Sequence, residues 1–185
     1  MERPGKPLAA IIYQRGFDID DLLLKACDEL RSLGVRLGGV MQRATGDRGQ
    51  CAASVHVVNL SSGASFNIWE ARGACARGCR LDERGLLGAE AAILGAVAEH
   101  VDLLVINRFG RAESLGRGLI GGFSAALEAG IPVLTAVREP YETARREFRG
   151  GFGQDLHPEP AQAVGWPMRA AGRLAAPTLE APGNG

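Results

Sequence analysis

Residues 8–42 read LAAIIYQRGFDIDDLLLKACDELRSLGVRLGGVMQ, and this stretch decides the fold class. Leu8–Tyr13 is a short apolar run without a 3.6-residue period, which is typical of a buried strand. Asp18 is a favourable N-cap, the leucines after it recur at helical spacing, and Gly34 stands where a helix should end. Val35–Gln42 then predicts a second strand. The stretch therefore indicates a β-α-β unit.

The rest of the chain continues this alternation. The apolar runs Val101–Ile106 and Val133–Val137 predict two more strands parallel to the first. Ser54–Leu60 and Ser65–Glu70 predict a β-hairpin, because Ser61-Ser62-Gly63 between them is typical of a turn. Helices are predicted from Asp82 to about His100, from about Ala112 to Ala129, and over Tyr141–Arg149. The pattern predicts a three-layer α/β fold with a mainly parallel sheet and a hairpin insert.

Length and composition limit the possible classes of protein. A chain of 185 residues suits a single domain, which we expect over residues 8–166. Prolines and small residues predict a C-terminal tail over residues 167–185, poorly ordered from Ala175 onward. The 21 Lys and Arg balance 21 Asp and Glu, which argues against nucleic-acid binding. No apolar run approaches the roughly 20 residues of a membrane span, so we expect a cytoplasmic protein without membrane insertion.

The cysteines give no sign of a metal site. Cys75 and Cys79 enclose three residues, but no histidine lies near them in the sequence to complete a ligand set. Cys27 and Cys51 are isolated along the chain. We therefore predict neither a metal ion nor an obligatory disulfide at Cys75 and Cys79.

Arginines stand at or just past the carboxyl ends of four predicted strands, where ligands bind in parallel α/β sheets. We expect Arg15, Arg108 and Arg111 to converge on one small oxyanion, with Glu113 orienting an arginine. Glycines in the same turns would let backbone N–H groups approach the ligand, and neutral side chains would add polar contacts. The candidate ligand-binding residues are Gln14, Arg15, Gly16, Gln42, Asn107, Arg108, Gly110, Arg111 and Glu113.

The sequence is also compatible with a different arrangement of these arginines. Arginine is frequent in this chain, and polar residues are common at strand ends. The arginines could instead point into solvent or pair with acids of the first predicted helix, which are Asp18, Asp20 and Asp21. In that case no net positive pocket would form.

A strand, a turn and a helix in this order also form the frame of a phosphate-binding P-loop, with the signature G-x-x-x-x-G-K-[ST]. Residues 14–21, QRGFDIDD, contain one glycine and no Lys-Ser/Thr pair. Asn107 follows the strand that would have to end in a magnesium-binding acid. The sequence therefore predicts a degenerate P-loop, no catalytic residues, and no hydrolysis of ATP or GTP.

The chain resembles a bacterial family of proteins of unknown function, often encoded beside molybdate-transport genes. The resemblance spans most of residues 8–166, and it implies a P-loop-like fold and a role in molybdenum metabolism. The family is in turn similar in layout to the THEP-type nucleoside triphosphatases. The matching segments are LAAIIYQRG (8–16), GVRLGGVMQR (34–43), GCRLDERGL (78–86), LVINRFGRAESLGRGL (104–119), GIPVLTAV (130–137) and REFRGGFG (146–153), together with Trp166.

Three functions are compatible with these observations. The first is a non-catalytic protein that binds an oxyanion or nucleotide and serves molybdate uptake or molybdenum metabolism, with molybdate-transport or molybdenum-cofactor proteins as partners. Molybdate is a tetrahedral dianion that cationic donors can hold as they hold sulfate. The second is a nucleotide hydrolase or phosphotransferase with a rebuilt site. The third is an interaction protein whose pocket is vestigial.

Overall fold

The computed structural model describes residues 7–45, 54–71, 79–138, 141–150 and 153–174. Within these ranges the chain alternates between strands and helices. The strands are β1 (Leu8–Tyr13), β2 (Leu37–Thr45), β3 (Ser54–Asn59), β4 (Ser65–Ala71), β5 (Cys79–Leu81), β6 (Leu103–Ile106), β7 (Val133–Arg138) and β8 (Gly153–Leu156). The helices are α1 (Ile19–Ser32), α2 (Glu83–Ala98), α3 (Arg111–Ser114), α4 (Ile120–Glu128), α5 (Glu142–Arg149) and α6 (Pro160–Ala170).

One mixed sheet contains all of these strands, in the order β5-β4-β3-β2-β6-β7-β1-β8. Strands β2, β6, β7, β1 and β8 are parallel, and β3, β4 and β5 extend one edge in antiparallel orientation. The predicted parallel arrangement of the three apolar strands β1, β6 and β7 is confirmed, as is the hairpin of β3 and β4. The order places β7 between β1 and β6.

Helices cover both faces of the sheet, which confirms the predicted three layers. On one face, Leu23 of α1 and Trp166 of α6 belong to one buried cluster. On the other face, Ile93 of α2 and Phe123 of α4 belong to a second cluster. Alternate residues of β6 enter the two clusters, which is why this strand is a continuous apolar run. No helix in the described ranges is long and apolar enough to cross a membrane.

The first helix begins and ends where its sequence signals predict. The Asp18 carboxylate caps α1 by accepting a hydrogen bond from the Asp21 backbone N–H at 3.2 Å. At the other end Gly34 has a φ of +80°, in the left-handed region that favours glycine. Local signals thus define this helix completely.

The helix predicted over residues 112–129 is instead divided into α3 and α4. Gly116 and Gly118 have φ values of +70° and +68°, and such left-handed residues cannot continue a right-handed helix. The prediction of one helix is therefore wrong, because the glycines act as turn residues.

The C-terminal elements β8 and α6 are not predicted from the sequence. Pro160 opens α6 in its first turn, where the missing N–H of proline loses no helical hydrogen bond. Helix α6 continues to Ala170, four residues beyond the expected domain end at residue 166. The expected disorder from residue 175 lies outside the described residues. Strand β5 likewise lies in a segment expected to be irregular.

A cluster of ion pairs fastens the start of β6 to its neighbours. Asp102 accepts hydrogen bonds from the Arg36 backbone N–H at 2.9 Å and from Arg36 Nη2 at 2.8 Å. Arg173, after α6, lies 3.3 Å from the same carboxylate. These contacts, with the Arg36 side-chain hydrogen bond contributing most, lower the pKa of Asp102 from its ordinary value near 3.8.

We expect Asp102→Asn to lower the free energy of unfolding at pH 7 and to have no effect in acid. The lowered pKa means that the stabilisation by the carboxylate is present above the unfolded-state pKa of about 3.9 and is lost as pH falls through the folded-state value. Urea unfolding of both proteins from pH 7 down to pH 3 measures this difference. A difference that stays constant over the whole range would contradict a role for the charge.

Candidate functional site

The candidate site lies at the edge of the sheet formed by the carboxyl ends of β1 and β6. The turn after β1 spans residues 14–18, and Gly16 has a φ of +94° there. Gln14 and Arg15 are exposed. Since Asp18 already caps α1, the helix N-terminus binds a carboxylate of its own chain, and this turn lacks the open anion cradle of a P-loop.

Asp20, in the first turn of α1, joins the two strand ends. Its Oδ1 accepts a hydrogen bond from Asn107 Nδ2 at 3.0 Å, and its Oδ2 accepts one from Arg108 Nη2 at 2.7 Å. Asn107 is 4% exposed, and Arg108 is half-buried. Two side chains that directly follow β6 therefore hold one carboxylate oxygen each.

For Arg108 the structure agrees with pairing to an acid of the first helix. Its charge is compensated by Asp20, which lies where a ligand oxyanion was expected. Arg15 and Arg111 are exposed. The convergence of all three arginines on one anion stays a prediction.

The backbone of Arg108 has an unusual conformation. Its φ is +70°, in the left-handed region that non-glycine residues rarely adopt, which costs about 1–3 kcal/mol. The neighbouring backbone N–H groups are fixed to the sheet: Asn107 donates to the Val40 carbonyl and Phe109 to the Ala136 carbonyl, both at 3.0 Å. These bonds hold the strained residue between two anchored neighbours.

Glu113 does not have the predicted role. Its Oε2 accepts a hydrogen bond from the Gly110 N–H at 3.0 Å, and its Oε1 accepts one from the Leu119 N–H at 3.1 Å. The carboxylate thus ties the start of α3 to the start of α4 instead of orienting an arginine. A Cβ added at Gly118 would lie 2.2 Å from Glu113 Oε1, the end of a flexible side chain, so the φ of +68° is the stronger reason for glycine at this position.

Gln42 is not at a strand end. Strand β2 continues to Thr45 because its second half pairs with β3, where Gln42 faces Val57 in the register. The predicted boundary at residue 42 was wrong, since the antiparallel extension prolongs the strand. Val40 pairs with Ile106, the last residue of β6, so Gln42 lies two residues beyond that pair, toward the same edge as Asn107 and Arg108. A contact of Gln42 with a ligand stays a prediction.

Tyr13 borders the site as the last residue of β1. It is 7% exposed, and burial raises the pKa of its phenol above 10.0. The positive charges of Arg108 and Arg138 oppose this rise, whereas Asp20 adds to it. Tyr13 therefore remains a neutral phenol at neutral pH, within electrostatic range of both members of the Asp20–Arg108 pair.

Cys27 is the cysteine whose side chain the structure describes. The Cys27 thiol is buried with its Sγ 3.6 Å from Met41 Sδ, and burial raises its pKa to about 12, so it is not a nucleophile at neutral pH. Cys51 and Cys75 lie outside the described residues, as does the Cys79 side chain, so the prediction for that pair remains untested. No cluster of three potential metal ligands occurs in the parts of the chain that the structure describes.

The sequence offered Asp20 only as one of three acids with which the arginines could pair. In the structure Asp20 is the acid that bonds to residues 87 and 88 positions away in the chain. The one available signal was the excess of acids at residues 18, 20 and 21, at the helix start where a phosphate would bind.

One curated relative is considerably longer than this chain. The Molybdenum import ATP-binding protein ModC 2 of Bradyrhizobium diazoefficiens is 38% identical over 167 residues, which are 90% of this chain and 19% of that protein. The chain thus spans about a fifth of the length of this curated relative.

Two solved structures share the fold and, at their low identities, show the fold alone. The solution structure of a human cancer-related nucleoside triphosphatase has a TM-score of 0.58 and 18% identity, covering 86% of this chain and 94% of that one. The crystal structure of THEP1 from the hyperthermophile Aquifex aeolicus has a TM-score of 0.53 and 11% identity, covering 85% and 94%. The predicted P-loop-NTPase-like α/β architecture is confirmed.

The family resemblance inferred from the sequence segments is also confirmed. A family model matches residues 8–166, which is most of the chain. This chain therefore belongs to the family described as protein of unknown function (DUF2478).

Proposed function

We propose that this chain is a non-catalytic, P-loop-like module of molybdate import that binds an oxyanion or the phosphate of a nucleotide at the Asp20 site. The observation that carries the proposal is the Asp20 carboxylate held by Asn107 and Arg108. Asn107 and Arg108 donate to a carboxylate of their own chain. In this proposal they form an anion site that Asp20 occupies when no ligand is bound. A ligand oxyanion would compete with Asp20 for the same donors.

One buried atom of these donors supports the proposal. Within the described part of the chain, Arg108 Nε makes no hydrogen bond. Buried polar atoms are nearly always bonded, so each exception calls for an explanation. Displacement of Asp20 would open Arg108 Nε to a ligand, and the strained φ of Arg108 is typical of functional turns. Residues proposed to complete the site are Gln14, Arg15, Gly16, Gly110 and Arg111.

The module is non-catalytic in this proposal because its charges are opposite to those of a hydrolysing site. Magnesium-dependent P-loops place a cationic lysine and a neutral hydroxyl on the helix, and an acid on the strand. This chain has acids in the first turn of α1 and the neutral Asn107 after β6. Without the lysine, the hydroxyl and the acid, a bound phosphate would lack the contacts that promote its hydrolysis.

The molybdate link rests on the relative named as a molybdenum import ATP-binding protein. Since the matched segment is a fifth of that protein, we propose that the module accompanies an import ATPase and does not replace it. Molybdate and nucleotides are both anionic and suit the donors of the Asp20 site. The proposal includes a cytoplasmic location, because nucleotides are available there.

Calorimetric titration with molybdate, tungstate, sulfate, ATP and GTP tests the proposal. We expect Arg108→Ala to weaken binding at least tenfold, about 1.4 kcal/mol. Asp20→Asn should strengthen binding about tenfold, because it removes both the internal competitor and a repelling charge. Arg117→Ala, which removes an exposed arginine from the same segment, serves as the matched control and should leave the affinity unchanged.

Two results would contradict the proposal. Magnesium-dependent ATP turnover near 1 s⁻¹, the low end of the usual enzyme range of roughly 1–10³ s⁻¹, would indicate a rebuilt catalytic site. Unchanged affinity in Arg108→Ala would favour the second candidate, an interaction module with a vestigial pocket. That candidate has its own support, since Asp18 and Asp20 already bind the donors that a phosphate would need.

A further inference from the structure

A cleft of about 660 Å³ opens at the carboxyl ends of β1 and β8, beside the Asp20 site. Its apolar walls include Tyr13, Phe17, Leu156 and Pro158, and Glu142 from the first turn of α5 is part of its polar lining. Clefts of roughly 300–1,000 Å³ with apolar walls and a few placed polar groups are typical of small-molecule sites. The size and lining of this cleft suit a planar heterocycle.

Tyr13 connects the cleft to the Asp20 site. It lines the cleft, and the charges of Arg108 and Asp20 both act on its phenol. The exposed turn residues Gln14 and Arg15 line the same cleft. A nucleotide whose phosphate lies at Arg108 would therefore have its base on the side of this cleft.

Two carboxylates line the cleft, and they differ in the hydrogen bonds that they accept within the chain. Asp155 accepts a hydrogen bond from Arg145, which is fully buried, so this carboxylate has a structural role. Glu142 Oε2 lies 3.6 Å from Arg146 Nη2, beyond ordinary hydrogen-bond distance. The Glu142 carboxylate is partly buried and keeps acceptor capacity for a ligand.

We propose that this cleft binds a purine base and selects guanine through the Glu142 carboxylate. Guanine carries two adjacent donors, N1–H and the 2-amino group, in the same parallel arrangement that lets a guanidinium bind a carboxylate with two hydrogen bonds. Adenine carries a ring acceptor at this edge, which would face the carboxylate unfavourably. Phe17, which is 41% exposed, supplies a face for stacking. The inference deepens the proposed function and rests on it.

Titration of the full chain with GMP, IMP and AMP tests the inference. IMP lacks only the 2-amino group of GMP, so the ratio of the two affinities isolates that contact. We expect GMP to bind at least tenfold more tightly than IMP or AMP. Glu142→Gln should reduce the GMP to IMP ratio below about threefold, because tenfold in affinity is about 1.4 kcal/mol and depends on the charged acceptor. Glu147→Gln, at an exposed position of the same helix, is the matched control and should keep the wild-type ratio.

Arg108→Ala separates this inference from the proposed function. It should weaken all three nucleotides alike while the GMP to IMP ratio persists. A preference for GMP that depends on Glu142, together with unchanged nucleotide affinities in Arg108→Ala, would keep the guanine pocket and contradict the oxyanion site. Equal affinities of GMP and IMP in the wild-type chain would overturn the guanine pocket, and so would a ratio that Glu142→Gln leaves unchanged. No binding of any of the three at millimolar concentration would overturn it as well.

Discussion

Gly39→Ala is expected to lower the free energy of unfolding by about 3–5 kcal/mol, from backbone strain together with overpacking. Gly39 lies in β2 opposite Val105 of β6 and has a φ of +100°. A Cβ at this position would lie 2.2 Å from the Val105 carbonyl oxygen. Because that oxygen belongs to the backbone of a central strand, it cannot move aside as a side chain could.

The effect should extend to the candidate site. The residue after Gly39, Val40, accepts the hydrogen bond that fixes the Asn107 N–H. Separation of β2 from β6 would therefore shift Asn107 and the carboxylate of Asp20 that it binds. We expect any anion affinity of Gly39→Ala to fall even in the fraction that remains folded.

Gly63→Ala is the matched control for this variant. Gly63 has a φ of +74° in the β3–β4 turn, and an added Cβ there would meet no heavy atom within 4 Å. Only the left-handed conformation is then penalised, by about 1–2 kcal/mol. Denaturant unfolding followed by circular dichroism compares the two variants. An equal loss of unfolding free energy in both variants would mean that the contact with Val105 adds nothing to the cost of Gly39→Ala.

The parts of the fold predicted from the sequence are those with local causes. Strands β1, β6 and β7 are continuous apolar runs because both of their faces are buried, and such runs are visible without coordinates. Helix α1 has its cap at Asp18 and its left-handed stop at Gly34, both set by neighbouring residues. Confirmed predictions thus depend on a few residues that are adjacent in the chain.

Predictions failed where distant pairing decides the outcome. The end of β2 is set by β3, so the sequence around Gln42 contains no signal for it. Helix α6 contains Pro160 and Pro167, yet it is held by Trp166 and Met168 in the cluster with α1. Packing against a surface formed elsewhere in the chain outweighs the low helix propensity of this segment.

For the candidate site, the sequence predicted that the turns after β1 and β6 lie at one edge of the sheet, but not which acid Arg108 contacts. The parallel topology brings the turns after β1 and β6 to one edge, as expected. Which acid would face Arg108 could not be predicted, because Asp18, Asp20 and Asp21 are adjacent and differ only in their direction around α1. Asp18 turns back onto the helix end, whereas Asp20 faces the end of β6.

Asp155→Ala is expected to destabilise the chain by about 3–5 kcal/mol, the range for breaking one side of a buried ion pair. The Arg145 guanidinium is fully buried, whereas the Asp155 side chain is 35% exposed at the end of β8. Loss of the carboxylate would remove the hydrogen bond and the opposite charge that Asp155 provides to a buried cation. Asp155→Asn keeps an acceptor oxygen and should lose less. Urea unfolding at pH 7 measures both variants.

The double variant Arg145→Met, Asp155→Ala separates the ion pair from general packing. The aliphatic methionine side chain fills part of the space of the arginine without its charge, and replacing both members of a buried pair by apolar groups is often neutral or stabilising. We therefore expect the double variant to be more stable than Asp155→Ala alone. The double variant could instead lose as much unfolding free energy as Arg145→Met and Asp155→Ala together. Asp155 would then stabilise β8 independently of the buried cation. In that case the exposed Arg146, whose Nε lies 3.8 Å from Asp155 Oδ2, becomes the partner to test next.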